Sequence, residues 1–170
     1  MRIFKEEQRF TQTWLIVLLI ISITIPILIM VNEYSKENSS MTLNELLLTS
    51  LLMIAVVIPI FFFKLKTRID ETGIHFQFFP FHFSIRTIAW SELKSVKTRK
   101  YDAISEFGGW GLKGGFIWKK SKGVAYNTSG DLGIQLEYKN GKKVLIGTQK
   151  IQEVNLVLKN YENKIPANEI

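Results

Sequence analysis

The chain lacks several of the residues that catalytic and metal sites need. It has no cysteine among its 170 residues, which excludes disulfides, cysteine-ligated zinc and thiol nucleophiles. Its only two histidines, His75 and His82, lie on either side of Pro80, without a carboxylate beside them in sequence that suggests a metal site or a general-base pair. No serine stands in a Gly-x-Ser-x-Gly motif. The sequence therefore predicts a protein that is not an enzyme and that uses no cofactor or metal.

Charge is missing from two long segments. Trp14–Val31 and Leu46–Phe63 are each 18 residues without an ionisable side chain, enough for about 27 Å of helix and one crossing of a bilayer. We predict two transmembrane helices, at about 12–31 and 45–63. Because pumps and transporters carry ionisable groups inside their spans, these helices indicate an anchor. A cleaved signal peptide is the alternative for the first segment, but the apolar run is long and no small-x-small cleavage pattern follows it.

The distribution of basic residues predicts the orientation. Three basic residues precede the first segment and Lys64, Lys66 and Arg68 follow the second, whereas the connecting loop holds only Lys36. Both termini are therefore expected in the cytoplasm, with two spans in the inner or plasma membrane. Residues 64–170 carry 18 Lys and Arg against 10 Asp and Glu. This excess favours membrane lipids as partners, and we expect no nucleic-acid partner.

After Lys64 the apolar residues alternate with polar ones, which is typical of antiparallel β structure. Ile74, Phe76 and Phe78 predict one half-buried strand. Asn140-Gly141 between two alternating segments predicts a hairpin with a type I′ turn. Thr148 is a suitable cap for a final amphipathic helix, whose apolar positions are Ile151, Val154, Leu158 and Tyr161. The predicted organisation is an N-terminal arm and two helices in 1–63, a β domain in 64–165 and a tail in 166–170.

The layout as a whole resembles bacterial pleckstrin-homology-like membrane proteins. The resemblance rests on Ile88-Ala89-Trp90-Ser91-Glu92-Leu93, the late hairpin, Ile146-Gly147-Thr148 and the closing helix. It implies an α+β domain of about seven antiparallel strands in a split barrel with a C-terminal helix, joined to one or two transmembrane helices. It supplies no catalytic residues. Residues 101–123 depart from the generic pattern of that family.

A glycine-rich run falls inside that departing section. Gly109, Gly111 and Gly114 match the letters of a dinucleotide-binding Gly-x-Gly-x-x-Gly, but the run leads into the β-like 116–118 rather than a helix. No lysine follows the second glycine as a phosphate-binding P-loop requires. We therefore expect a flexible loop or a glycine-kinked strand here.

Tryptophan and lysine alternate around this run. Aromatic rings favour the membrane interface, and each nearby Lys contributes about 1 kcal/mol at an anionic surface. The alternative places the tryptophans in the core and leaves the lysines solvated. The candidate residues for lipid or anion contact are Trp110, Lys113, Trp118, Lys119, Lys120 and Lys122.

A second aromatic cluster, residues 78–83, holds too many rings for one side of a strand. They could cover a second sheet, pack against the helices, or enter the membrane interface; packing is the preferred interpretation.

The resulting hypothesis is a membrane-anchored, non-enzymatic interaction or regulatory module that contacts the cytoplasmic leaflet and a protein partner, with homo-oligomerisation as a further option. The alternative is a small membrane enzyme or transporter subunit that binds an anion through the Gly-rich loop 108–115. That alternative requires backbone N–H groups converging on a pocket with a carboxylate such as Asp102 or Glu106.

Overall fold

The computed structural model describes residues 3–114 and 123–165. The chain divides into two compact units. One, the helical unit, is Phe10–Phe62, and the other, the β unit, combines Met1–Arg9 with Phe63–Ile170. The helical unit is thus inserted into the sequence of the β unit.

The helical unit contains two long apolar helices. Helix α1 spans Thr13–Tyr34, and α2 spans Leu43–Val57 and continues as a 3₁₀ turn over Ile58–Phe62. Thr42 and Glu45 cap the start of α2 reciprocally, since each side chain bonds the backbone N–H of the other. Both helices are long and apolar enough to cross a membrane, and few of their side chains are buried within the protein. Their ends lie within three residues of the predicted spans.

The β unit begins with a four-stranded antiparallel sheet, the first sheet. Its strands are β1 (Phe4–Arg9), β2 (Lys64–Asp70), β3 (Gly73–Phe79) and β4 (Arg86–Ala89), in that spatial order. Strand β1 pairs with β2 from Phe4↔Ile69 to Arg9↔Lys64. The sequence had assigned residues 4–9 to an N-terminal arm, whereas the structure places them at an edge of this sheet.

The second sheet has five strands. They are β5 (Leu93–Lys100), β6 (Gly111–Gly114), β7 (Val124–Asn127), β8 (Leu132–Tyr138) and β9 (Lys143–Gly147), in the order β5-β8-β9-β7-β6. Strands β7 and β9 run parallel. Helix α3 (Ala103–Phe107) links β5 to β6, and α4 (Ile151–Asn160) follows β9.

This architecture confirms an α+β β-rich domain with a C-terminal helix, and it corrects the details. The described residues form nine strands rather than about seven, one pair is parallel, and neither sheet closes into a barrel. The inner faces of both sheets and one face of α4 share a single core, which includes Phe4, Leu65, Phe78, Trp90, Ile134 and Val154. Burying one such side chain stabilises the fold by about 2 kcal/mol.

The predicted hairpin and helix are present, but two local predictions are wrong. Of the two turn residues Asn140 and Gly141, only Gly141 has a positive φ (80°), and Tyr138 N–H donates to Lys142 O across a three-residue loop. A type I′ turn needs positive φ at both positions, so this turn is of another type. The N-cap of α4 is Lys150 rather than Thr148, because the helix begins only at Ile151. The Thr148 hydroxyl instead accepts the Lys150 N–H at 3.1 Å and donates to Glu6 Oε2 at 2.7 Å.

Candidate functional site

The two sheets differ in what covers their outer faces. The outer face of the second sheet carries a small second core of Tyr101, Ala103, Phe107, Ala125 and Leu145, with Trp110 packed against it. On the first sheet, the outward residues of β1 and β2 are mostly exposed. This exposed surface, which we call the open face, is therefore the first candidate for binding.

The open face is rich in cations. Strict alternation places five basic residues and two carboxylates on its first two strands: Lys5, Arg9, Lys64, Lys66 and Arg68, with Glu7 and Asp70. Glu7 is shared by Arg9 at 3.0 Å and Lys64 at 3.2 Å, and its pKa is held low chiefly by the hydrogen bond from Arg9. Within the described ranges, Lys5 and Lys66 form no ion pair. These two exposed cations are therefore the first candidates for contact with an anionic partner.

A shallow groove of about 360 Å³ runs across this face. Its lining includes Lys5, Lys66 and Arg68 on one side and His75, Gln77 and Ile85 on the other. The described residues contain no cluster of three His, Asp or Glu side chains that could hold a metal ion. The groove is open and lined by both charged and apolar groups, which suits the surface of a larger partner better than an enclosed small molecule.

Beside the groove, Asp70, His75 and Thr87 form a line across three strands. His75 Nε2 lies 3.0 Å from Asp70 Oδ1, and His75 Nδ1 lies 2.9 Å from Thr87 Oγ1. Burial alone would raise the pKa of Asp70, but hydrogen bonds from Thr72 and His75 outweigh it and hold that pKa far below its usual value. Asp70 was not recognisable from the sequence as the partner of His75, since it lies five positions earlier, on the other side of a turn. Because the line spans cross-strand neighbours, it holds β2, β3 and β4 in register.

The open face ends in a loop whose aromatic residues divide between core and solvent. Phe78 is fully buried, whereas Phe81, Phe83 and Ile85 are 53%, 86% and 61% exposed. Packing is therefore correct for Phe78 but does not account for the rest of the cluster. We call residues 79–85 the aromatic loop.

His82 holds this loop to the sheet. Its backbone N–H donates to Phe78 O at 2.9 Å, its Nδ1 accepts from Phe78 N–H at 3.3 Å, and its ring contacts Phe76 and Tyr126. Burial, together with the nearby positive charge of Arg86, lowers the pKa of His82. The loop is thus built around a buried imidazole.

Acidification should loosen the β unit through His82. Because its pKa is lower in the folded protein than in the unfolded chain, the unfolded state binds more protons, and stability falls as the pH drops below about 6.5. The loss is at most about 1.4 kcal/mol per pH unit. Urea unfolding of the full chain in detergent, followed by tryptophan fluorescence between pH 7.5 and 5.5, measures it.

The replacement His82→Phe should flatten that slope while retaining the ring contacts. Contributions from Asp70 and Glu7, whose pKa values are lowered from acidic reference values, fall at more acidic pH and do not overlap this window. A slope that is unchanged in His82→Phe would locate the acid sensitivity at another group.

The structure separates the six residues predicted for lipid or anion contact. Trp110 is half-buried against the second core, and its Nε1–H donates to Gly130 O at 3.1 Å. Lys113 lies on β6 and is partly exposed. The other four, Trp118, Lys119, Lys120 and Lys122, lie outside the described residues.

Three backbone N–H groups of the Gly-rich loop already donate hydrogen bonds within the chain. Gly108 and Gly109 donate to the carbonyls of Ile104 and Ala103, and Gly111 donates to Asn127 Oδ1 at 2.8 Å. The nearby carboxylates are also occupied: Asp102 caps α3, and Glu106 pairs with Arg99 at 2.8 Å. The described part of this loop is therefore structural: Gly108 ends α3, and Gly111–Gly114 form strand β6 against β7, in line with the expected glycine-containing strand.

Known proteins do not guide the interpretation of this surface. No family model, curated protein or solved structure matches the chain.

Sequence reasoning used Arg9, Lys64, Lys66 and Arg68 only as topology signals. Their alternation with inward-facing Leu65 and Thr67 was a usable sign that they share one face of a strand. The partner strand β1 was harder to find, because two of its three inward residues are the polar Glu6 and Gln8.

Proposed function

We propose that this protein is a membrane-anchored, non-enzymatic, pleckstrin-homology-like interaction or regulatory module that contacts the cytoplasmic leaflet. The two apolar helices hold the β unit at the bilayer. The open face then meets anionic headgroups, and the module presents its remaining surface to a protein partner. The observation that carries this proposal is the row of basic residues that begins at the two points where the sheet connects to the helices.

The pairing of β1 with β2 supports the two-span topology. β1 precedes α1 and β2 follows α2, yet they form one continuous ladder of six residue pairs. If both helices cross the bilayer, the two strands must be on the same side of it. The excess of Lys and Arg at these junctions favours the cytoplasmic side.

Strand geometry supports a contact between the open face and headgroups. Arg9 and Lys64 are cross-strand partners. Three residues separate Arg9 from the start of α1, and one residue separates the end of the apolar helical segment from Lys64. At about 3.3 Å per residue, Lys66 lies about 7 Å further along the strand, within the Debye length of about 8 Å at physiological salt. Each such cation contributes about 1 kcal/mol near an anionic leaflet.

Lysine footprinting of the intact chain tests this contact. The chain is reconstituted in nanodiscs of phosphatidylcholine alone or mixed with phosphatidylglycerol, and lysine acylation is followed by mass spectrometry. We expect Lys64 and Lys66 to react several-fold more slowly in anionic discs, because headgroup phosphates screen them. High salt should remove the difference.

Lys139 and Lys159 are internal controls, since both are exposed on other elements of the β unit. Lys66→Glu should also reduce the protection of Lys64 in anionic discs. Equal acylation rates at Lys64 and Lys66 in the two lipid compositions would refute the headgroup contact.

The protein partner is tested separately, by photo-crosslinking the full chain in native membranes from positions on β5 and α4. We expect a crosslinked species whose yield saturates and falls when unlabelled protein is added as a competitor. A pattern limited to lipid adducts would confine the module to a lipid-binding role.

A further inference from the structure

We infer that the aromatic loop inserts into the interfacial region of the bilayer, as a second attachment point besides the helices. This inference rests on the proposed function, because it assumes that the β unit faces a membrane. It adds a specific lipid-contacting segment, residues 79–85, which the expected Trp and Lys cluster did not include. The occupant of this apolar surface is the bilayer interface itself.

The aromatic loop is an exposed cluster of apolar side chains. Phe79, Phe81, Phe83 and Ile85 are all exposed within seven consecutive residues, and Phe83 is the most exposed of them at 86%. Elsewhere in the described β unit, exposed large apolar side chains such as Ile104 and Leu156 stand singly. A clustered apolar patch on a soluble surface marks a site of interaction with membrane or protein.

Hydrogen bonds and ring contacts fix the conformation of the aromatic loop. Gln77 Nε2 donates to the carbonyls of His82 and Phe83, both at 3.1 Å. The Phe81 ring lies 5.9 Å from the Phe78 ring in a parallel stack and 5.7 Å from the Phe63 ring. The loop backbone and the Phe81 ring are therefore held by contacts within the β unit, which reduces the entropy lost on insertion.

The aromatic loop lies at the end of the first sheet where the chain connects to the helical unit. Strand register pairs Phe79 with Lys64, and Lys64 with Arg9. The aromatic loop thus begins at the same end of the sheet at which the chain leaves β1 and re-enters β2. The loop and both connections to the apolar helices therefore lie at the same end of the first sheet.

The charges around the aromatic loop favour a lipid surface over a neutral protein surface as its partner. No acidic residue occurs between Glu71 and Glu92, while Lys64 and Arg86 flank the loop. Apolar side chains bordered by cations are the pattern of segments that lie in the interface of anionic membranes, buried about 5–10 Å deep.

The absence of cysteine permits a direct depth measurement. Ser84→Cys places a single thiol in the loop without removing an apolar residue, and Glu71→Cys places the control at the opposite end of the same strands, about 20 Å away. Each full-length variant carries a polarity-sensitive fluorophore in phosphatidylcholine and phosphatidylglycerol vesicles. Quenching by lipids with a nitroxide on the upper acyl chain is compared with quenching by aqueous iodide.

We expect lipid nitroxides to quench the Ser84 probe several-fold more strongly than the Glu71 probe, with a blue-shifted emission and little iodide quenching. Adding Phe83→Ser and Ile85→Ser to Ser84→Cys should abolish the lipid quenching without unfolding the domain, because both side chains are mostly exposed.

A Ser84 probe that is open to iodide and unaffected by lipid nitroxide overturns the inference. So does a probe shielded from both quenchers, which would instead assign the loop to a second copy or another protein. Neither result affects the lysine footprint of the open face, so failure of the loop insertion is distinguishable from failure of the proposed headgroup contact.

Discussion

A chain in which Asn-Gly replaces Phe10–Phe62 should be a soluble, cooperatively folding β protein, whereas a chain that starts at Lys64 should not fold. In the sequence the helical unit lies between β1 and β2. In the sheet these strands are antiparallel neighbours, with Arg9 opposite Lys64. A short turn can therefore close them into an ordinary hairpin. Circular dichroism and urea unfolding of the two shortened chains provide the measurement.

The expected difference comes from what β1 contributes to the core. Phe4 is 2% exposed, and burying it stabilises the fold by about 2 kcal/mol. Gln8 donates to Gly147 O at 2.9 Å and accepts from Thr128, and Glu6 accepts from the Thr148 hydroxyl and the Gln149 N–H. At about 1 kcal/mol for each hydrogen bond, the loss is comparable with the 5–15 kcal/mol that holds most domains together.

Both shortened chains lack the apolar helices, so a difference in solubility between them cannot be attributed to those helices. Phe4→Ala in the Asn-Gly chain is an intermediate case that should unfold at lower urea but remain cooperative. If the chain beginning at Lys64 unfolded with the same midpoint as the Asn-Gly chain, β1 would be dispensable and the assignment of residues 4–9 to the core would fail.

Gly123→Ala should destabilise the β unit by about 3 kcal/mol or more, whereas Gly141→Ala should cost about 1 kcal/mol. The two glycines have almost the same φ, 81° and 80°. A Cβ at Gly123 would lie 2.1 Å from Lys143 O, a backbone atom, but a Cβ at Gly141 would meet no atom within 4 Å. Comparing the two variants therefore separates the destabilisation caused by a steric clash from the destabilisation that both share because of the positive φ.

Urea unfolding of both alanine variants in the full chain, followed by tryptophan fluorescence in detergent, measures this difference. Gly123 immediately precedes β7, and Lys143 opens β9, so the clash reports the close parallel approach of these two strands. Equal losses of stability in the two variants would contradict the parallel pairing.

Several elements were predictable because their signals are local. The two helices follow from charge-free segments, since no other arrangement of 18 consecutive apolar residues is as simple. Strand β3 follows from the alternation of Ile74, Phe76 and Phe78, which the structure buries. Helix α4 follows from apolar residues at helical spacing, of which Val154 is fully buried.

Other features depend on partners that are distant in sequence. The inward Glu6 and Gln8 made β1 unrecognisable as a strand, because a polar side chain is stable in a core only when distant groups bond it; here those groups lie about 140 residues away. The parallel pairing of β7 and β9 likewise depends on a crossover that local periodicity does not encode.

The sequence by itself determined that the chain has two apolar helices, a basic β-rich part and a helical end, because composition and periodicity are properties of neighbouring residues. Only the tertiary structure decided which surfaces stay open. Phe78 and Phe83 are chemically identical, and burial of the first and exposure of the second follow from strand register and from the buried His82 that holds the loop. The open face and the aromatic loop are therefore products of packing.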